Sequence, residues 1–209
     1  MQQSTNSPRK DGKPIVSRID ALFLMIASAV AAVATTAATV SGIAGYFTGP
    51  ATLELPIATD SLTASGLELQ ATGHYTTLQA TLPALPAGEA ALLSWAAALN
   101  QIGILTVLAL VFLLGYRLRS SILFTAASVR IIGACGAVLA IASAIGQVLD
   151  QVARGRLAEL IGANQRSVED IIFVGYFNVA ALMAGVVLVL VAGVFEYGRR
   201  LQKDTEGLV

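Results

Sequence analysis

Residues 21–53, ALFLMIASAVAAVATTAATVSGIAGYFTGPATL, contain no Asp, Glu, Lys, Arg or His. A charged side chain at the centre of an inserted helix costs about 2.5–3.5 kcal/mol, so an uninterrupted gap of this length is a signature of lipid. Three further gaps follow at 90–116, 131–149 and 171–195, and the four together make up about half of the 209 residues. Each supplies the roughly 20 apolar residues that cross a hydrocarbon core of about 30 Å. A fifth uncharged window, 69–88, contains Gln70, His74, Gln79, Pro83 and Pro86 among several Thr, and reads as a polar loop.

The composition agrees with this reading. Hydrophobic residues make up 56% of the chain and charged residues 12%, about half the charge of an average soluble domain. The 13 Lys and Arg balance 13 Asp and Glu. No basic field is left to attract a polyanion, so direct nucleic-acid binding is not expected. Buried helices of a soluble protein would show polar faces at helical period, and these windows lack them.

The expected fold is all-α and integral to the membrane: a four-helix transmembrane bundle with a small extracytoplasmic β meander between helices 1 and 2. Helices are expected near 21–47, 91–116, 126–149 and 171–197, after a cytoplasmic tail over 1–20. The β-rich loop covers 48–90, a second external loop 150–170, and a cytoplasmic C-terminal tail 198–209. Orientation follows from Lys and Arg, which concentrate in the two tails and in the loop holding Arg117, Arg119 and Arg130. That bias places both termini in the cytoplasm of a cell membrane. Tyr46, Phe47, Trp95, Phe173, Tyr176 and Phe177 then lie toward the outer interface, and Tyr116, Phe195 and Tyr197 toward the inner one. Arg9 to Arg18 with Ala32-Val33-Ala34 could pass for a cleavable signal, but the apolar run continues to Phe47, which favours an uncleaved helix.

In the first loop, Leu53, Leu55 and Ile57 alternate with polar residues or proline, as do Leu67, Leu69 and Ala71 and then Leu78, Ala80 and Leu82. These are three short strands, with Thr72-Gly73-His74-Tyr75 as a hairpin turn between the last two. So small a sheet cannot fold alone and has to rest on the helices or on a partner, as a cap or as a ligand-binding surface. In the second loop Leu157, Leu160 and Ile161 follow helical spacing, which suggests a short amphipathic helix on the outer leaflet.

Within the spans, Gly133, Ala137, Ala140 and Ala144 share one face of helix 3, and Ser28, Thr35, Thr39 and Gly42 one face of helix 1. Small residues let helix backbones approach, so these faces are the expected seams. Asn100, Gln101, Gln147 and Asn178 are intramembrane amides, which either bond across helices or line a polar cavity.

The residues that enzymes need are missing. Cys135 is the single cysteine and His74 the single histidine. This leaves no C-x-x-C pair, no H-E-x-x-H motif and no paired haem ligands. No phosphate loop or nucleophile elbow is present, and Asp20, Asp150, Asp170 and Glu196 stand only at span ends. Neither catalysis nor a cofactor or metal site is expected.

The C-terminal segment from Val194 to Val209, with Phe195, Gly198, Leu201, Asp204, Glu206, Leu208 and Val209 at its marked positions, resembles the ending of bacterial four-helix membrane proteins. The family is that grouped as "domain of unknown function 2975". Phe124-Thr125, Val129-Arg130 and Ile132-Gly133 are similar to its pattern at the start of helix 3, although Ser121-Ile122-Leu123 stands where a Gly-x-Pro-like turn belongs. The resemblance covers the second half by motif and the first by topology. It implies an uncharacterised activity and a cytoplasmic partner such as a small helix-turn-helix regulator.

Phe124, Thr125, Arg130, Phe195, Gly198, Leu201, Leu208 and Val209 are accordingly the candidate docking residues. Thr125 is placed to cap helix 3, and Leu201 and Leu208 to pack on the Phe124 loop. They either stabilise this end of the bundle or form the docking surface. The leading expectation is a non-enzymatic interaction or regulatory membrane component. The alternative is a small transporter or channel subunit, built on homo-oligomers and the four intramembrane amides.

Overall fold

The computed structural model describes residues 18–56, 63–64, 73–74, 77–119, 126–162 and 177–206. Four long helices dominate it: α1 (Arg18–Thr48), α2 (Ala87–Arg119), α3 (Ala126–Leu160) and α4 (Val179–Glu206). At 1.5 Å per residue they are about 42–53 Å long, more than a hydrocarbon core requires. Each holds a stretch long and apolar enough to span, with mean hydropathies of 2.1, 2.2, 2.0 and 2.5 in order.

Contacts fix the directions. Gly115 of α2 meets Ala21 and Met25 near the start of α1, Gly146 of α3 meets Ala96 and Leu99 of α2, and Gly133 of α3 meets Ala192 of α4. Neighbours therefore run antiparallel, and Arg18 and Glu206 lie at the same end of the molecule, the termini end. The helices pack serially, α1 on α2, α2 on α3 and α3 on α4, with no comparable packing of α1 on α3 or α4. The bundle is thus open along one side. Only 11% of the apolar window is buried in α1 and α4, against 28% in α3, so α1 and α4 are edges and α3 is central.

The α3–α4 seam is the tightest. A Cβ added at Gly185 would stand 2.7 Å from the Ala140 nitrogen and 2.7 Å from the Gly136 carbonyl oxygen, so only glycine allows this approach. Gly133 and Ala140 lie in the seam as expected. Ala137 does not: it is exposed, and Gly136 takes the closest approach. On α1, Ser28 is buried and Thr35 and Thr39 face α2, whereas Gly42 stands in open space.

At the opposite end, the sheet end, β1 (Ala51–Pro56) pairs antiparallel with β4 (Thr77–Leu82), Leu53 facing Ala80 across the ladder. Inside that hairpin β2 (Thr63–Ala64) pairs with β3 (Gly73–His74). The expected sequential meander is replaced by two nested two-stranded sheets. Gly73 and His74 form a strand and not the expected turn; the strand expected over 67–72 lies outside the described residues.

The alternation of β1 is realised. Ala51, Leu53 and Leu55 are buried while Thr52 and Glu54 are exposed, and Thr52 and Thr81 hydroxyls meet at 3.0 Å on the outer face. The buried face packs on Leu93 of α2 and on Ala153, Leu157 and Ala158 of α3, the apolar core of this end. Of these, Leu157 was expected, with Leu160 and Ile161, on a separate helix on the outer leaflet. Instead α3 continues unbroken to Leu160, because its apolar stripe is covered by the sheet. It stops where Gly162 takes φ 70 and donates to the Glu159 carbonyl at 3.0 Å, a glycine cap in the left-handed region. α4 begins at Val179, later than the expected 171, and continues past 197 to Glu206.

Candidate functional site

The four amides separate into different tasks. Gln101, 6% exposed, turns toward α1: its Nε2 donates to Thr35 Oγ1 at 3.1 Å and Thr36 Oγ1 at 3.0 Å, and its Oε1 accepts from Thr39 Oγ1 at 3.0 Å. One side chain thereby ties α2 to three hydroxyls within about one turn of α1. Gln147 does the same between α3 and α4. Its Nε2 donates to Ser143 Oγ at 2.9 Å and to the Asn178 carbonyl at 3.2 Å, and its Oε1 accepts the Asn178 amide. Asn178 in turn caps α4, its Oδ1 accepting from the Ala180 nitrogen at 3.2 Å. Both interhelical bonding and cavity lining, the two alternatives, therefore occur.

The cavity, of about 310 Å³, lies between α1, α2 and α3 at the sheet end. Ala96, Ala97, Ala142 and Gly146 leave the space open, and Tyr46, Asn100, Ser143, Gln147 and Asp150 supply its polar groups. Asn100 has no hydrogen-bond partner among the described residues. Asp150 stands at the end of the wall, its Oδ2 taking Arg154 Nε at 2.7 Å, while Arg154 Nη1 donates to the Glu54 carbonyl at 2.9 Å. Arg154 thus pins β1 to α3 beside the cavity, and Asp150 orients it.

Asp150, Ser143 and Tyr46 were not among the candidates. Their signal was present in the i, i+4, i+7 spacing of Ser143, Gln147 and Asp150, which puts all three on one face of α3. From sequence Asp150 stands only as an acid at a span end, which gives no sign that it lines a cavity.

At the termini end, Arg117 of α2 bonds the Ser128 hydroxyl of α3. Arg130 is exposed one turn before Gly133, and Phe195, 42% exposed, lies one turn after Ala192. Because Gly133 and Ala192 touch, the two flank one helix contact. Gly198 has open space around it, and Glu196 pairs with Arg200 at 2.9 Å. Leu201 lies on the last turns of α4; Phe124, Thr125, Leu208 and Val209 fall outside the described residues, as does the proposed cap by Thr125. No group of three or more His, Cys, Asp or Glu able to hold a metal occurs among the described residues.

Comparison of the chain with protein-family models, with curated proteins and with solved structures finds no match.

Proposed function

We propose that this chain is a non-catalytic interaction or regulatory component of a bacterial cell membrane, with both termini cytoplasmic and a partner docked at the termini end of α3 and α4. The observation that carries the reading is the length of α4. Its spanning stretch ends at Gly198, yet the helix continues to Glu206 through Arg199, Arg200, Lys203 and Asp204. Insertion does not need these charged turns, which carry the helix surface beyond the span to where a partner can pack. The resemblance of this tail points to a small helix-turn-helix regulator as that partner.

A photo-reactive residue at Leu201 in native membranes tests this. Cross-linking to such a regulator, lost on deleting residues 202–209 while insertion persists, is the expected outcome. Cross-linking to lipid alone contradicts it.

A transporter or channel subunit is the second reading, favoured by the cavity that Asn100 and Gln147 share. Its test is flux: Asn100→Leu in proteoliposomes has to reduce transport of a permeant solute, and unchanged or absent flux removes this reading.

A further inference from the structure

The cavity at the sheet end makes no contribution to docking at the other end, and its chemistry is specific. Among the described residues, Asp150 is the only one with a formal charge on its wall. Arg154 occupies one carboxylate oxygen but is not part of the wall, and its other arm reaches the sheet. Asp150 Oδ1 is therefore an acceptor with no bond among the described residues. Asn100 brings a second acceptor with no internal partner. Ser143, only 8% exposed, accepts Gln147 Nε2 and carries a hydroxyl proton with no acceptor among the described residues. Tyr46 adds a phenol.

Ser143 is buried, whereas Asn100 opens to the exterior and the Asp150 side chain is 33% exposed, so the cavity is open to solutes and its unpartnered polar groups hold water or a ligand. A volume near 310 Å³ is at the small end of ligand pockets.

We propose that this cavity binds the protonated primary amine of a small ligand. An ammonium has three donors and no acceptor, which matches the carboxylate oxygen, the Asn100 carbonyl oxygen and a hydroxyl oxygen of Tyr46 or Ser143. The bond to Asp150 is charge-assisted. An anion meets the carboxylate, and a neutral polyol lacks the charge-assisted bond to its open oxygen. The same chemistry is offered by a soluble amine such as ethanolamine and by the headgroup of phosphatidylethanolamine, since the cavity lies at helix ends.

The test uses the full chain, delipidated in detergent, titrated with ethanolamine and with ethylene glycol as its uncharged counterpart. Ethanolamine raises the melting temperature saturably and ethylene glycol does not. Asn100→Leu weakens ethanolamine binding by about tenfold or more, the equivalent of one lost hydrogen bond to a charged group. Asp150→Asn also disturbs Arg154, so Ala97→Leu, which fills the cavity and leaves the ion pair, serves as the second variant and abolishes binding.

No saturable shift, an equal response to ethylene glycol, or wild-type binding by Ala97→Leu each overturns the proposal. Repeating the titration in nanodiscs separates the sources. Loss of ethanolamine binding in phosphatidylethanolamine but not in phosphatidylglycerol assigns the lipid headgroup, and retention in both assigns a soluble amine; either upholds the site. Deleting residues 202–209 leaves ethanolamine binding unchanged, so failure here is distinguishable from failure of the docking reading.

Discussion

Single side chains decide how strongly neighbouring helices hold each other, and two substitutions separate the mechanisms. Gln101→Leu removes three interhelical hydrogen bonds, but Thr35 and Thr36 already bond the Ala32 carbonyl at 3.2 and 2.7 Å. Those two hydroxyls are therefore not orphaned, and only Thr39 loses its partner. Because intramembrane hydrogen bonds average about 0.6 and reach about 1.7 kcal/mol, the expected loss is about 1 kcal/mol in a bilayer unfolding assay. Gly185→Val is expected to cost more, about 2–3 kcal/mol or greater, since the new Cβ would overlap backbone atoms of α3 that cannot move aside. Gly42→Val, in open space on α1, serves as the control with no measurable change in the same assay. Equal losses for Gly185→Val and Gly42→Val contradict the seam. The amides stood out in the sequence because polar residues are rare inside spans; which helix each would bond depended on rotations about the helix axis that a lone Gln101 or Asn178 does not specify.

Elements show where charge-gap reading succeeds and where it stops. The spans were legible, because lipid forbids charge over about 30 Å whatever the packing. Their ends were not. Beyond the hydrocarbon, α3 continues past Asp150 only because Ala153, Leu157 and Ala158 find the buried face of β1, a tertiary effect invisible to hydropathy. β1 and β4 were legible by alternation, whereas their mutual pairing depends on a connection whose closure strand patterns do not encode. Leu157→Ala, at a fully buried site, is expected to cost about 2–5 kcal/mol locally. Hydrogen exchange is then expected to rise across residues 51–56 and to stay unchanged over 101–116. Arg154→Leu has the same regional signature and a smaller size, since one partly exposed i,i+4 pair and one hydrogen bond are lost. Faster exchange spread through all four helices would contradict a locally anchored sheet.

For the whole molecule, four antiparallel helices in an open row place the sheet and cavity at one end and the charged extension of α4 at the other. The proposed amine site and docking surface then face opposite compartments, linked through α3, which contributes to both. That arrangement stands on the membrane crossing, and impermeant maleimide labelling of single-cysteine variants tests it directly. In a Cys135→Ala background, Ser61→Cys is labelled in intact spheroplasts, while Lys10→Cys and Lys203→Cys are labelled only after permeabilisation. Labelling of only one terminal position in intact spheroplasts, or of Ser61→Cys together with both termini, contradicts the four-span account, and labelling of both termini with Ser61→Cys protected contradicts the orientation.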